Sequence, residues 1–409
     1  MATLLDPDGE RRLQEYFDGI GDVLKTKKAR ASFAMYAMGI LGDGERKSVE
    51  PIAARAAADP ATTDAMHQRL LHFLNQSSWS DRRVRRYAAR HAVAAATARL
   101  PVDAWIVDDT GWLKQGKHSV GVQRQYTGSA GKVTNCQVGV SLALATANEH
   151  VPVDFELYLP ESWANDPARR AEAAIPDEVP FKTKPDLALD MVRRALLDDL
   201  PRGVVLADTA YGNSSAFRAE LRRLGLHYAV AVDATTKVHR FDGAEVPPEV
   251  PIDVRAYAAG LSVTPKAFRR VTWREGTKRS LSARFAIRWV IPFHDDGTPV
   301  ERRERVLLVC EWPDDDRHPT KYYFVIPPST MSRKRLIRLI KERWRTERMY
   351  EDLKGELGLD HFEGRRFPGW HHHVSVVLAC YAFVVAERVR RFPPSAGRVR
   401  RNDPLPLAA

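Results

Sequence analysis

Two short apolar runs, each closed by an acid, constrain this fold more than any other feature of the chain. Ile106-Val107 runs into Asp108-Asp109, and Val204-Val205-Leu206-Ala207 runs into Asp208. An unbroken apolar run of strand length reads as a strand covered on both faces, so helices must pack on either side of it. The surroundings supply them. Asp186 to Leu200 places Leu187, Met191 and Leu196 on one side of a predicted helix, and Ser214 or Ser215 can cap a second one that Gly225 stops. Tyr228 to Val232 is another strand. Upstream, Gly121 to Tyr126 alternates and Gln137 to Leu144 is a longer apolar run, with Gly128 and Gly131 between them. With Ala104 to Val107 these make the outline of a three-stranded antiparallel meander. His150 to Leu159 adds a candidate strand, and 160–185, rich in proline and charge, reads as a surface loop with a short helix. The class over 101–233 is therefore α/β.

The flanks differ in character. Residues 1–100 are Ala-rich with charges at helical intervals, and Asp81 is placed to cap a helix through Arg82, Arg86 and Arg90. Those three arginines recur every fourth residue and share a face, which is either a solvated surface or a stripe that tracks phosphates. Residues 234–330 are β-rich, with Leu281 to Ile291 and Arg305 to Cys310 as strands, and Trp289 and Trp312 read as packing residues. Residues 331–390 open with one long helix from Ser332 to about Leu357, and 391–409 is a proline- and arginine-rich tail expected to be disordered. A length of 409 residues suits two or three domains.

Charge and cysteine content narrow the function classes. A formal net charge of +11 points to a polyanionic partner. Cys136, Cys310 and Cys380 form no CxxC pair, which argues against a disulfide framework or a cysteine zinc site. No basic-then-apolar leader opens the chain and no 18-residue apolar span is evident, so a cytoplasmic protein without a membrane partner is expected, associated with the nucleoid when bound to DNA. His371-His372-His373 are adjacent, and adjacent helical residues cannot all face one ion, so they read as structural.

A third acid, Glu347, falls on the long C-terminal helix. Three carboxylates from separate elements are the donor set for Mg²⁺ or Mn²⁺, hard ions that take oxygen ligands and keep several waters. Such ions activate a water or a 3′-hydroxyl and stabilise the leaving oxygen of an in-line displacement at phosphorus.

On these motifs the chain resembles the DDE-type insertion-sequence transposases with a ribonuclease-H-like catalytic core, in the branch that carries a β-rich insertion between the second Asp and the Glu. Asp109-Thr110-Gly111 with Lys117, His118 and Arg124-Gln125-Tyr126 resembles the first catalytic block, and Asp208-Thr209-Ala210-Tyr211-Gly212 the second. The branch signature Y-x2-R-x3-E-x6-K is met by Arg343, Glu347 and Lys354, with Ile340 at the Tyr position. The resemblance implies Asp109, Asp208 and Glu347 as catalytic metal ligands. Asp109 is preferred to Asp108 because it directly precedes Thr. It implies Arg343 and Lys354 as phosphate contacts, unless the two form an ion-pair ladder with Glu347 and Glu351; Arg345 is a further candidate DNA contact. Arg343, Glu347, Tyr350, Glu351 and Lys354 recur at three to four residues and are expected to share one helix face. Lys117 and His118 are further candidate DNA contacts, and Arg82, Arg86 and Arg90 belong to a helical end-binding module.

The implied activity is cut-and-paste transposition. Terminal inverted repeats of double-stranded DNA are bound, cleaved with Mg²⁺ or Mn²⁺, and their 3′-hydroxyls joined to target DNA by a homodimer that pairs two ends. A nuclease that cuts without joining uses the same metals, and a DNA-binding regulator derived from a transposase would need no acids. All three acids are present.

Overall fold

The computed structural model describes residues 7–57, 59–241, 250–275, 280–293, 305–328 and 331–393. The tail expected to be disordered lies outside the described residues from 394 onward. The amino-terminal region is helical: α1 (Pro7–Leu24), α2 (Lys27–Leu41), α3 (Val49–Ala56), α4 (Thr63–Asn75) and α5 (Asp81–Thr97). There follow β1 (Val102–Leu113), β2 (Gln123–Thr127), β3 (Lys132–Thr146), β4 (His150–Leu157), the short α6 (Glu161–Ala164) and α7 (Pro167–Ala173), and α8 (Lys184–Leu197). Next come β5 (Val204–Ala207), α9 (Thr209–Gly212), α10 (Ser215–Arg223) and β6 (Tyr228–Val232). A mixed region holds β7 (Lys237–Arg240), β8 (Ile252–Asp253), α11 (Val254–Ser262), β9 (Arg269–Glu275), β10 (Ser280–Pro292), β11 (Val306–Trp312) and β12 (Lys321–Ile326). The chain closes with α12 (Arg333–Glu342), α13 (Arg345–Glu351), a π-helical turn at Asp352–Glu356, and α14 (Phe367–Arg391).

These elements form two compact units. Among the described residues, the first comprises those up to Val102, Asp108–Pro201 and those from Arg345 onward; the second comprises those within Asp103–Val107 and Arg202–Trp344. In the first, β3 is the organising strand. It pairs antiparallel with β2 along Lys132–Cys136 and with β4 along Gly139–Ala145, and β1 is its other neighbour. This corrects the expected meander, in which β2 would have stood between β1 and β3. From Cys136 to Thr146 every residue of β3 is buried, as a strand flanked on both edges and covered on both faces must be. Gly139 lets it approach the core closely, because a Cβ there would stand 2.6 Å from the Trp112 ring.

The core of this unit is α14. By length and composition it is apolar enough to cross a membrane, contrary to the expectation of no such span, but 78% of its apolar window is buried in the structure. Its histidines confirm a structural role. The ring nitrogens of His372 lie 2.6 Å from Leu74 O and 3.0 Å from Trp79 O, carbonyls that accept from a ring N–H, and the ring stacks on the Trp79 ring at 3.8 Å. His373 meets Tyr36 OH at 2.9 Å and Gly358 O at 3.1 Å. His371 lies 3.6 Å from Asp81. The helix expected to begin at an Asp81 cap is capped one residue earlier, by Ser80, whose hydroxyl accepts from Arg83 N.

Burial holds all three imidazoles neutral, His371 down to about 3 and His373 to about 4, with His372 shifted the same way. In the unfolded chain they take protons near pH ~6.5. As pH falls below that value the unfolded state gains protons that the folded state refuses, at about 1.4 kcal/mol per histidine per pH unit. Melting temperature should therefore fall steadily from about pH 6.5 towards about pH 4. Thermal melts across this range check it; a flat profile down to about pH 5 would contradict these burials.

In the second unit, β1 pairs parallel with β5 (Ile106 opposite Leu206) and β5 parallel with β6 (Leu206 opposite Ala229). All four residues of β5 are buried, as the sequence run demanded. Thereafter pairing is antiparallel, through β12, β11 and β10 to β7 and β8, with β9 also on β10. The mixed α/β class and the succession of antiparallel then parallel strands fit the expected ribonuclease-H-like core. The helix α12 is tied to β11 by Lys341, whose ammonium holds both oxygens of Glu311, a carboxylate only 2% exposed. Tyr323 OH donates to the same carboxylate at 3.1 Å.

One expectation fails here. The single helix from Ser332 to Leu357 is broken at Arg343-Trp344 and ends in π-helical geometry. The break falls where the second unit ends, at Trp344.

Candidate active site

In the first unit, Asp109 follows Asp108 on β1, and adjacent strand residues point to opposite sides. Asp108 is buried, and its Oδ1 accepts from the Asp109 backbone N at 2.9 Å. The Asp109 side chain, 14% exposed, faces the ammonium of Lys184, with Nζ 3.0 Å from Oδ2. Lys184 is the first residue of α8. A reciprocal capping box fixes that start, in which Thr183 accepts from Asp186 N and Asp186 accepts from Thr183 N. The two residues after Asp109 are clamped by the β2–β3 turn. Ser129 Oγ lies 3.1 Å from Thr110 Oγ1 and accepts from Gly111 N at 3.2 Å. A Cβ on Gly111 would stand 2.1 Å from Thr127 Oγ1, so only glycine fits.

Lys354 completes this clamp. Its Nζ donates to Gly111 O at 2.8 Å and to Ser129 Oγ at 3.1 Å, and burial lowers its pKa. The segment after it returns along the same block: Trp112 Nε1 donates to Leu359 O at 2.7 Å and Val120 N to Arg365 O at 3.1 Å.

Glu347 lies exposed in the first turn of α13, with no ion pair among the described residues. Its neighbours Thr346, Met349 and Tyr350 are buried, and Tyr350 OH sits 2.6 Å from Ser141 Oγ. The expected common face of Arg343, Glu347, Tyr350, Glu351 and Lys354 is therefore not formed. Arg343 lies at the helix break, Tyr350 is turned into the core, and the π turn rotates Lys354 onto β1. Glu351 pairs with Arg348 at 3.2 Å, so the suggested ladder is not formed either. Arg345 donates to Ala147 O at 3.0 Å and Asn148 O at 2.6 Å.

The other basic candidates of this unit are surface residues. Arg82, Arg86 and Arg90 are exposed on α5; Arg86 pairs with Asp198 at 2.6 Å and Arg90 donates to Asp198 O at 3.3 Å. Lys117 is exposed in a loop, and beside it His118 lies 3.0 Å from Glu172.

In the second unit, Asp208 directly follows β5 and caps α9, accepting from Ala210 N at 2.9 Å. The cap fixes where its carboxylate stands. Gly212 closes this turn against β6: a Cβ there would stand 1.9 Å from Ala231 O. Arg218 is buried beneath the turn, its guanidinium donating to Gly212 O and lying 5.3 Å from the Phe324 ring. Arg343 follows α12 in this unit, half-buried.

Among the described residues no group of three or more His, Cys, Asp and Glu side chains is gathered so that it could hold a metal ion. Each of the three candidate acids is a carboxylate, the donor type that suits a hard divalent cation. Asp109 already receives positive charge, with the Lys184 ammonium standing in for a cation. Sequence reasoning missed Lys184 and Ser129. A Thr-x-x-Asp capping pattern at Thr183 was legible and would have located the start of α8; nothing local marked Ser129.

Two family models match the chain: the DDE superfamily endonuclease over residues 17–280, and the transposase DDE domain over 184–383. A curated relative, the "Probable transposase for insertion sequence element IS701" of Microchaete diplosiphon, is 28% identical over 221 residues. That match covers 54% of this chain and 53% of the relative, so the chain spans about half the length of the relative it matches. Among solved structures, the cryo-EM piggyBac transposase synaptic complex with hairpin DNA is similar over 91% of this chain and 68% of that chain, with a TM-score of 0.41 and 10% identity.

Proposed function

We propose, since this chain belongs to the DDE superfamily of endonucleases, that it is a DNA transposase which cleaves double-stranded DNA at transposon ends and joins the 3′-hydroxyls to target DNA. Membership implies use of a divalent metal ion; the ion proposed is Mg²⁺ or Mn²⁺, held by Asp109, Asp208 and Glu347. The observation that carries this reading is the placing of two of these acids: Asp109 on β1 with its charge already met by a cation, and Asp208 at the end of a fully buried strand. When bound, the metal supplies activation of the attacking oxygen and stabilisation of the leaving one.

The chain's own residues do the rest. The Ser129–Lys354 clamp steadies the block that carries Asp109, and the α9 cap steadies Asp208, which keeps the cost of reorganisation low. Arg343, Arg345, Lys117 and the Arg82, Arg86, Arg90 face supply positive charge for phosphates and His118 a ring N–H, which positions DNA but does not read its sequence. A homodimer would pair the two ends, working at the nucleoid in the cytoplasm.

The test is a labelled duplex carrying the terminal sequences of the element that encodes the chain, incubated with target DNA and Mg²⁺ or EDTA. Metal-dependent end cleavage with joined products is the expected outcome. Cleavage without joining would replace the transposase by a nuclease, and binding without cleavage by a regulator.

A further inference from the structure

We infer that Lys184 governs metal entry at Asp109: its ammonium occupies the carboxylate in the metal-free protein and must leave before a divalent cation can bind. The inference rests on the reading of Asp109 as a metal ligand. Three observations carry it. The Nζ–Oδ2 distance of 3.0 Å is that of a direct ion pair, and with side-chain exposures of 25% and 14% the pair is partly shielded from solvent. A divalent ion cannot take the same oxygen beside an ammonium without strong like-charge repulsion.

Second, Lys184 sits at the first position of α8, where the helix dipole disfavours positive charge. Its presence there is poor for the helix and is explained by Asp109. Third, the lysine has a second partner. Its stem is long and flexible, and Nζ already stands over the Tyr158 ring, 5.8 Å from its centre, so the cation keeps an aromatic contact when it gives up the carboxylate. Lys184 is thus a positioning residue that sets the metal concentration at which the site loads.

The test is Mn²⁺ binding to the full chain without DNA, followed by electron paramagnetic resonance, for wild type, Lys184→Met, Lys184→Arg and each lysine variant combined with Asp109→Asn. Lys184→Met should lower the Mn²⁺ Kd by about fivefold, the equivalent of one partly shielded ion pair. Lys184→Arg, which keeps the charge, should bind as wild type does. Equal affinity of wild type and Lys184→Met, including a failure of both to bind, would overturn the inference. The reading beneath it is checked separately. If Asp109→Asn leaves Mn²⁺ binding of the Lys184→Met protein unchanged, Asp109 is no ligand and the site assignment itself falls.

Discussion

Asp109→Asn, Asp208→Asn and Glu347→Gln should each reduce end cleavage by about a thousandfold or more, with DNA binding and melting temperature close to wild type. The amides are chosen because each keeps the shape of its carboxylate. At Asp208 this matters most, because the side chain also caps α9 through Ala210 N, and asparagine caps a helix as well as aspartate does. A loss of cleavage in Asp208→Asn therefore reports charge and not the cap. Glu347 is exposed with no ion pair among the described residues, so Glu347→Gln has no fold interaction to lose. Asp109→Asn leaves Lys184 without its carboxylate, and a partly exposed pair is worth only about 1 kcal/mol or less. Cleavage and duplex binding measured on the same preparations separate the two effects. Wild-type cleavage by any one variant would remove that residue from the site.

The largest stability effect is expected at Gly212. A methyl group there would lie 1.9 Å from Ala231 O and 3.0 Å from the Ala231 carbonyl carbon. Those atoms are backbone of β6, held by pairing to β5 and β12, and no rotamer change can relieve the overlap. Gly212→Ala should cost about 3 kcal/mol or more, because either α9 or the strand must move. Cleavage should fall with it, since Asp208 caps the same short helix. Gly116→Ala is the control: a methyl group there would meet nothing within 4 Å, and its stability should change by less than about 0.5 kcal/mol. Urea denaturation of the two variants measures the difference. Equal midpoints would mean that α9 does not pack on β6 as described.

Much of the fold was legible because its signals are local. The run Val204 to Ala207 could only be a buried strand, Ser214 does cap α10 by accepting from Phe217 N, and Gly225 takes the positive φ that stops it. The acid at the end of β5 was found by the same logic.

What was missed depends on contacts distant in sequence. The β2–β3 hairpin was read correctly, but the meander set β2 beside β1; the unbroken burial of β3 marks it as the central strand, and pairing order is decided by burial, not by adjacency. The break at Arg343-Trp344 has no Gly or Pro to announce it; residues 341–346 have ordinary helical propensities, so only the wider packing ends the helix there. Lys184 meets Asp109 across 75 residues, and Lys354 meets Gly111 across 243. No periodicity encodes such pairs. The arginine stripe on α5 was read correctly as exposed, but Asp198, which engages both Arg86 and Arg90, lay outside any local pattern.

Asp109, Asp208 and Glu347 are proposed to ligate the divalent ion. This claim is tested most directly by replacing the ion with Fe²⁺ and letting locally generated hydroxyl radicals cut the polypeptide beside the metal. Fragments should end near all three residues, and all three cuts should vanish together when excess Mg²⁺ displaces the iron. Cuts that bypass any one of the three, or that persist under excess Mg²⁺, would contradict the claim.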